Sequence, residues 1–452
     1  MKHLYLVRHA KSSWQEEHLK DRDRPLNSRG KDQLAPLARA LNRSGALGGD
    51  IYVSDAARAR NTLDGILPPA FPDNRVHFTS ELYTFDPRRL LEWLKTLNDE
   101  QDTVTVIGHN PALLELADHL LKHPPAQLPT ASFLCIALPD KPWQKLAKGK
   151  ARLEAFLTPR EYSYREFARK NKKRATTDGK DPAKDILKAL RHQLQRLRDL
   201  EPGVRTGLDD EFLHQFRIAL RRSRAVAESL QEVTGDKPLA RSVKQLKHQV
   251  QATGPLRDLH VFMQDLPRVC GSHDELKTAL ETWAITEAHH EHKTLVKQLD
   301  TKSYREVMHE WEDLIHSGAF RKLAGRLSPK DINKAVEQRV KTFNRQTAEL
   351  LHDSPDENIH NLRKQLKRIR YLMELDIKSW KGALKTLKER QKLYGRFQDL
   401  RVQIELISRF RKQAPDILPA AIDDLLEKLQ QDKNETRRQI LALGGLNLAQ
   451  GD

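Results

Sequence analysis

The stretch LVRHA at residues 6–10 determines how the first part of the chain is interpreted. The apolar run around it predicts a β-strand over His3–Val7, so Arg8 and His9 follow at the carboxyl end of that strand. In α/β proteins this edge of the sheet is where ligands bind. The Arg8 guanidinium is a planar set of donors that suits phosphate, and a neutral His9 can attack phosphorus. The stretch therefore indicates a phosphate site at a sheet edge.

Two later segments add groups of the same kind. SDAARARNT at residues 54–62 begins a helix just after a predicted strand and carries Arg58 near the helix N-terminus, a position that favours anions. IGHNP at residues 107–111 forms another strand-to-helix turn and carries His109. One Arg-His pair is weak evidence, but two arginines and two histidines after three separate strands predict a phosphoryl clamp.

The pattern around these segments alternates strands and helices. Such alternation predicts an α/β layer with a largely parallel sheet. The predicted strands lie at residues 3–7, 50–53, 103–107, 133–138 and 152–157, and the predicted helices at 31–42, 56–66, 87–97 and 111–121.

Four segments in this order, LVRHAKSSW, DRDRPLNSRG (residues 21–30), SDAARARNT and VIGHNPAL, resemble the histidine phosphatase superfamily, and specifically its small SixA-type phosphohistidine phosphatases. The resemblance covers about residues 1–160 and implies a three-layer α/β domain with no metal or cofactor. It implies that His9 is the nucleophile. The residues it places around the phosphoryl group are Arg8, Arg58 and His109. The residues it places beside the site are Arg24, Asn27, Arg29 and Gly30.

Two expectations about protons follow from the mechanism that the resemblance implies. His9 must be neutral to attack while His109 is best protonated, so their pKa values should be shifted in opposite directions. Glu81 is the candidate general acid, and a surface ion pair is the alternative role for its carboxylate. An imidazole leaves with a pKa of about 6.5 and a phosphate with about 6 to 7, so neither needs strong protonation. A weak acid therefore favours phosphoramidate or phosphoanhydride substrates over simple esters.

The rest of the chain differs in composition. Residues 163–181 are polar, basic and aperiodic, which predicts a linker between a domain at 1–162 and another at 182–450. From about residue 182 apolar residues recur three and four apart, which predicts an all-helical domain. The chain has 79 Lys and Arg against 62 Asp and Glu, and most of this +17 surplus lies after residue 165. Such a surplus indicates a polyanionic partner.

The helical part contains an internal repeat. HQFRIALRRSR at residues 214–224 matches HNLRKQLKRIR at residues 360–370 in the pattern HxxRxxL[RK]RxR. GPLRDLHV at residues 254–261 then matches GRFQDLRV at residues 395–402. Two matching blocks in the same order predict two related halves, about 182–325 and 326–450, that face each other around a pseudo-two-fold axis.

Each copy of the first block places its basic residues on one side of a helix. At about 100° per residue, four basic residues of the first copy fall within roughly 80° of one another. These are His214, Arg217, Arg221 and Arg224, and the apolar residues Phe212, Phe216 and Leu220 lie on the other side of the helix. A solvated face is the ordinary interpretation of such a stripe. A stripe with four basic residues and no acid repels itself, however. Two facing stripes of this kind predict an anion between them.

Inorganic polyphosphate and nucleic acid are the candidate anions. Lys and Arg neutralise the phosphates of either polymer. Aromatic residues make up only 6% of the chain, and the stripes contain no stacking platform and no recognised nucleic-acid motif. Polyphosphate, which needs charge alone, is therefore the expected partner, and nucleic acid is the alternative.

The repeat resembles the conserved-histidine α-helical domain, called CHAD, over roughly residues 182–450. This resemblance implies an all-helical, pseudo-symmetric domain that binds polyphosphate in a basic central channel. Asp258 and Asp399 would orient basic side chains, and Gln398 stands where the first half has Arg257, so the halves need not bind equally. The expected phosphate contacts in and after the repeats are His214, Arg217, Arg221, Arg222, Arg224, Lys244, Lys247, His360, Arg363, Lys364, Lys367, Arg368, Arg370, Lys381, Lys385 and Lys388.

Composition excludes several classes of protein. Cys135 and Cys270 form no CxxC pair, which excludes a disulfide framework and a cysteine zinc site. No stretch approaches 18 apolar residues and the N-terminus shows no signal region, so we expect a cytoplasmic location, with polyphosphate granules as a further expected location. His289 and His292 share a helix face, yet a solvated helix is the expected role there rather than a metal site.

Three functions are consistent with the sequence. In the preferred one, a metal-independent phosphatase acts on phosphohistidine-type substrates, including a phosphohistidine-bearing protein, and polyphosphate bound to the helical domain localises or regulates it. In the second, the helical domain delivers polyphosphate to His9 for hydrolysis. In the third, the helical domain binds nucleic acid and the phosphatase is accessory.

Overall fold

The computed structural model describes residues 1–15, 18–69, 71–170 and 182–448. The chain divides into two compact units. The first comprises residues 1–173 and 202–212, and the second comprises residues 174–201 and 213–452. Residues 171–181, most of the predicted linker, lie outside the described residues.

The first unit is built on a six-stranded sheet with the strand order β3-β2-β4-β1-β5-β6. The strands are β1 Lys2–Arg8, β2 Asp50–Ser54, β3 Val76–Thr79, β4 Thr103–Gly108, β5 Phe133–Leu138 and β6 Arg152–Leu157. The first four pair in parallel, whereas β5 pairs antiparallel with both β1 and β6. Because β6 is antiparallel to β5, it runs in the same direction as β1, so five of the six strands share one direction and the prediction of a largely parallel sheet is confirmed. β3 is not predicted by the sequence pattern, because its four partly exposed residues form no apolar run.

Helices cover both faces of this sheet. They are α1 Ser28–Ser44, α2 Ala57–Asp64, α3 Pro87–Leu94, α4 Ala112–Leu120, α5 Pro159–Tyr162 and α6 Tyr164–Lys170. Successive side chains of β1 point to opposite faces. Leu4 and Leu6 pack with residues of α3 and α4, whereas Tyr5 and Val7 pack with residues of α1 and α2. The first unit is therefore a three-layer α/β domain.

The parallel pairing brings the carboxyl ends of three strands to one edge of the sheet. Arg8 at the end of β1 is in register with Gly108 at the end of β4, and Val53 near the end of β2 is in register with Ile107. The residues that follow β1, β2 and β4 in the chain must therefore lie close together.

Asn27 and Gly30 fix the start of α1. The Asn27 Oδ1 accepts a hydrogen bond of 2.9 Å from the Gly30 N–H, as a helix N-cap does. A Cβ at position 30 would lie 2.2 Å from the carbonyl oxygen of Lys11. Only glycine lets α1 approach this backbone so closely.

α6 occupies the first part of the segment that was predicted to be a linker. Phe167 is buried, and Glu166, which is 2% exposed, accepts hydrogen bonds of 2.9 and 2.7 Å from Arg29. Phe212 packs against Tyr164 and Phe167 with ring centroids 5.6 and 5.5 Å apart, which places residues 202–212 in the first unit. The linker prediction is wrong for residues 164–170, because local polarity does not reveal these distant partners. Arg29 anchors α6 through this ion pair.

The rest of the described chain is helical, and no strand is found among residues 182–448. The helices are α7 Pro182–Thr206, α8 Asp210–Thr234, α9 Lys237–Ala252, α10 Gly254–Cys270, α11 Asp274–Leu299, α12 Lys302–His316, α13 Gly318–Ala324, α14 Pro329–Ala348, α15 Asp356–Met373, α16 Ile377–Gln413 and α17 Pro419–Ala442. One buried cluster combines residues of both predicted halves, including Leu190, Leu246, Leu366 and Phe397. Among the described residues, no helix has the length and apolar character needed to span a membrane.

Replacing Gly30 tests the close approach of α1. We expect Gly30→Ala to lower the free energy of unfolding of the first unit by about 1–3 kcal/mol, because the new Cβ must displace the Lys11 backbone. Gly48→Ala is the control, since no atom lies within 4 Å of a Cβ there. Urea unfolding followed by tryptophan fluorescence measures both variants, and equal midpoints for the two would contradict this account.

Candidate functional site

His9 follows β1 and its ring is buried, with 7% exposed. The His9 Nδ1 lies 2.7 Å from the carbonyl oxygen of Ala10, so Nδ1 carries the proton and donates it. The Nε2 is then unprotonated, and it lies 3.3 Å from the Nε of Arg58. Burial and the positive charges of Arg58 and Arg8 lower the pKa of His9 to about 3, so the ring is neutral at pH 7. A neutral imidazole with an unprotonated Nε2 is what a nucleophile requires.

Three arginines act on this ring. Arg58 is buried, and its Nη2 lies 2.8 Å from the Oδ2 of Asp21. The Arg24 Nη1 lies 2.7 Å from the Oδ1 of the same carboxylate. The Arg8 Nη1 donates to the Leu128 carbonyl at 2.7 Å, while the Arg8 Nε is buried without a hydrogen-bond partner. The site therefore presents fixed guanidinium groups that can receive an anion.

His109 follows β4 and lies beside His9, with ring centroids 5.1 Å apart. Its Nε2 shares a hydrogen bond of 2.8 Å with the Oγ of Ser54 at the end of β2, and its buried Nδ1 has no partner. Burial and the positive charges of its neighbours, including Arg58, lower the pKa of His109 to about 2. The expectation of opposite pKa shifts is wrong, because both histidines are buried among the same arginines.

The carboxylate that the structure brings to the histidines is Asp21 rather than Glu81. Glu81 is exposed in a 3₁₀ turn, and among the described residues its carboxylate makes no hydrogen bond to the site. Asp21 accepts hydrogen bonds from the Tyr83 hydroxyl at 2.9 Å and from Arg58. Partial burial raises the pKa of Asp21, but the hydrogen bonds from Tyr83 and Arg58 outweigh it and hold that pKa below its usual value.

Asp21 is therefore ionised at neutral pH and is a poor proton donor. The residues around Asp21 do not by themselves mark it as part of the site. Its place as the first residue of the DRDRPLNSRG segment is the signal that could have identified it.

In the second unit, both copies of the repeat line one cavity of about 800 Å³. α8 carries the first copy and α15 the second, and the side of α8 with Phe216 and Leu220 is buried in the core. The predicted phosphate contacts that line this cavity are Arg217, Arg221, Arg224, Lys247, His360, Arg363, Lys364, Lys367 and Arg368.

The remaining predicted contacts lie outside this lining. They are His214, Arg222, Lys244, Arg370, Lys381, Lys385 and Lys388. The two copies differ here, since Arg222 lies outside the lining whereas Arg368, its counterpart in the second copy, lines the cavity. Arg370 is held by Glu374 at 3.2 Å and by Gln391 at 2.9 Å.

Arg221 and Lys367 occupy equivalent positions in the two copies of the repeat. Desolvation in the cavity and the positive charges of Arg221 and Arg363 lower the pKa of Lys367 to about 6. The Lys367 amine is therefore mostly neutral at pH 7.5. The cavity holds more positive charge than its own acidic residues offset.

Each half also places an aspartate beside a cavity arginine. Burial lowers the pKa of Arg217 while Asp258 opposes that shift, and Arg363 and Asp399 show the same relation in the other half. The halves differ at one point, since the His360 Nδ1 lies 2.6 Å from the Oε1 of Gln398, the residue that replaces an arginine.

Glu228 is a cavity residue that the sequence analysis missed. Its carboxylate lies 3.1 Å from the Nη2 of Arg224 in the first copy and 2.8 Å from the Nη2 of Arg368 in the second copy. The spacing of four residues from Arg224 on one helix is the sequence signal for half of this contact. Glu228 thus joins the two copies across the cavity.

Metal ligands are not grouped in the part of the chain that the structure describes, where no three His, Cys, Asp or Glu residues are placed to hold an ion. His289 is exposed on α11. Cys135 and Cys270 are buried free thiols.

Two family models match the chain. The histidine phosphatase superfamily (branch 1) matches residues 4–82, and the CHAD domain matches residues 188–408. An uncharacterised chloroplastic protein of Arabidopsis thaliana is 33% identical over 126 residues, which are 26% of this chain and 58% of the relative. The chain therefore spans little more than half of that relative.

Two solved structures resemble parts of the chain. One comes from Agrobacterium tumefaciens and is provisionally named phosphohistidine phosphatase SixA. Its sequence is 25% identical, the match covers 35% of this chain and 99% of the SixA chain, and the TM-score is 0.30. The other is the CHAD domain of Ricinus communis, which is 22% identical, covers 61% of this chain and 99% of its own, and has a TM-score of 0.48.

The family matches coincide with the two sites. The first includes Arg8, His9 and Arg58, and the second includes both copies of the basic repeat. Membership of the phosphatase family supports a phosphatase activity for the first domain. The N-terminal α/β domain of this chain is a histidine phosphatase superfamily domain, and the helical part carries a CHAD domain.

Proposed function

We propose that the N-terminal domain hydrolyses phosphohistidine-type phosphoramidates and that the helical domain binds inorganic polyphosphate, which localises or regulates the enzyme. The observation that carries the enzymatic part is the neutral His9, whose unprotonated Nε2 lies among guanidinium groups beside a second histidine.

The reaction has two steps. The substrate imidazole first takes a proton from solvent on its other ring nitrogen, which has a pKa of about 6.5. The lone pair of the His9 Nε2 then attacks phosphorus, and the P–N bond breaks with its electron pair going to the substrate nitrogen, so that neutral imidazole leaves. Arg8 and Arg58 balance the charge of the equatorial oxygens. When the Nε2 of the neutral His109 accepts from Ser54, its Nδ1 carries the proton and can donate to the same oxygens. Water then attacks phosphorus, inorganic phosphate leaves, and the Nε2 regains its lone pair.

The state of Asp21 supports this choice of substrate. An ionised carboxylate held by two arginines and Tyr83 is a poor general acid. An imidazole leaving group has a pKa of about 6.5 and needs little protonation, whereas an alkoxide needs a strong donor. The arrangement therefore favours a phosphoramidate over a simple phosphate ester.

The lining of the helical cavity supports polyphosphate. The cavity combines cationic side chains from both halves with two aromatic residues, Phe262 and Tyr371, and Phe262 is buried in the core. A single-stranded nucleic acid usually requires several aromatic platforms for its bases. A chain of phosphates requires only the charges.

Replacing His9 tests the nucleophile. We expect His9→Ala to lower phosphate release from phosphoramidate by at least about a thousandfold, because the attacking group is lost. The affinity for polyphosphate should not change, since the cavity is built from other residues. His123→Ala, an exposed histidine, is the control and should keep wild-type activity.

The chain length of polyphosphate is followed in the same reactions. Unchanged length supports localisation or regulation by the polymer. Shortening by the wild type but not by His9→Ala would instead establish the second function, a polyphosphate hydrolase.

Competition with DNA tests the identity of the polymer. At about 150 mM salt, labelled long-chain polyphosphate should remain bound to the full chain in the presence of excess duplex or single-stranded DNA. Displacement by equal phosphate concentrations of DNA would contradict polyphosphate as the preferred ligand.

The pKa of Lys367 predicts that polyphosphate binding takes up a proton. The amine is mostly neutral in the cavity at pH 7.5, and nearby phosphates favour its ammonium form, so affinity should fall as pH rises above about 6. Calorimetry in buffers of different ionisation enthalpy should show an uptake approaching one proton.

Arginine at this position stays charged. Lys367→Arg should therefore abolish the proton uptake and flatten the pH dependence, while the exposed Lys385→Arg should keep both. Equal proton uptake by the wild type and Lys367→Arg would assign the titration to another group.

A further inference from the structure

An apolar ring lies exposed at the edge of the active site. Phe85 has 48% of its surface exposed, and its ring centroid lies 5.9 Å from that of His109. Most large apolar side chains of this domain are buried in the two core clusters, so the core does not account for the position of Phe85.

Tyr83 holds the neighbouring position. Its ring meets the ring of His109 edge-on at 5.5 Å and lies 5.8 Å from the ring of Phe85. Its hydroxyl is fixed by Asp21 at 2.9 Å. Tyr83 and Phe85 therefore form an aromatic wall next to His109, with Tyr83 anchored and Phe85 open to solvent.

In-line attack determines where the leaving group lies. The leaving atom must be opposite the His9 Nε2 across phosphorus. Because His9 is buried, the leaving group points away from the sheet edge and towards solvent. Phe85 is an exposed flat side chain beside His109 at this edge. A flat ring is therefore a suitable occupant, since aromatic rings pack on one another by offset or edge contacts.

We propose that Phe85, backed by Tyr83, is a specificity-determining residue that packs against the imidazole ring of the leaving group. The inference rests on the proposed function and extends it, because it selects aromatic nitrogen leaving groups among phosphoramidates. Phe85 contributes no charge and no proton, so it should act only on substrates that present a ring.

Two small substrates separate this contribution from the chemistry. Phosphoimidazole and phosphoramidate both contain a P–N bond, but only the first has a leaving ring. Phe85→Ala should lower kcat/KM for phosphoimidazole by about three- to tenfold and leave kcat/KM for phosphoramidate unchanged. Phe85→Tyr should restore the wild-type preference.

Phe78→Ala is the matched control. Phe78 is equally exposed, at 50%, but it lies on β3 and packs on Arg60, so its removal should change neither value. An equal loss on both substrates in Phe85→Ala would show a structural role for Phe85. No loss on phosphoimidazole would exclude contact with the leaving ring.

A binding measurement on variants that cannot turn over distinguishes failure of this inference from failure of the proposed function. If the wild type hydrolyses neither substrate, the proposed function fails. The two compounds are then titrated calorimetrically into His9→Ala and into His9→Ala/Phe85→Ala. A weaker affinity of the double variant for phosphoimidazole alone supports the aromatic wall, and equal affinities of the two variants overturn it.

Discussion

The confinement of like positive charge is the constraint on which both functional parts of this protein depend. In the α/β domain, burial and then the charges of Arg58, Arg8 and Arg24 lower the pKa of His9. In the helical domain, burial and then the charges of Arg221 and Arg363 lower the pKa of Lys367. Each group also contains one carboxylate shared by two arginines, Asp21 in the first and Glu228 in the second. These shared carboxylates offset part of the positive charge and so stabilise the grouping of the arginines. The positive charge that remains can be neutralised by a bound phosphate.

The backbone makes this confinement possible in two different ways. In the α/β domain, parallel pairing of β1, β2 and β4 aligns three strand ends, and the strands are held by buried residues on both faces. In the helical domain, α8 and α15 bury their apolar sides and turn their basic sides to a common cavity. The positive groups cannot separate without unpacking these cores. Burial and the repulsion between like charges therefore both lower the pKa values of His9 and Lys367.

Much of this organisation could be predicted from the sequence, for identifiable reasons. Arg8, His9, Arg58 and His109 directly follow or lie near predicted strand ends, so local pattern and chain order sufficed. The basic stripes of the two repeat copies could also be predicted, because helix periodicity depends only on residues that are close in sequence. The roles of Asp21 and Glu228 could not be predicted, because each depends on an arginine that is distant in sequence. Arg58 lies 37 residues after Asp21, and Arg368 lies 140 residues after Glu228. The pKa of His109 depends on burial among such neighbours, which a motif does not show.

The central claim is that His9 carries the phosphoryl group during turnover, and trapping that intermediate tests it most directly. Phosphoramidate is mixed with the full-length protein, the reaction is quenched in alkali within milliseconds, and the peptides are mapped by mass spectrometry. We predict an acid-labile, alkali-stable phosphoryl group on the Nε2 of His9. A phosphoryl group on another residue, or phosphate release with no labelled protein at any time, would contradict the account.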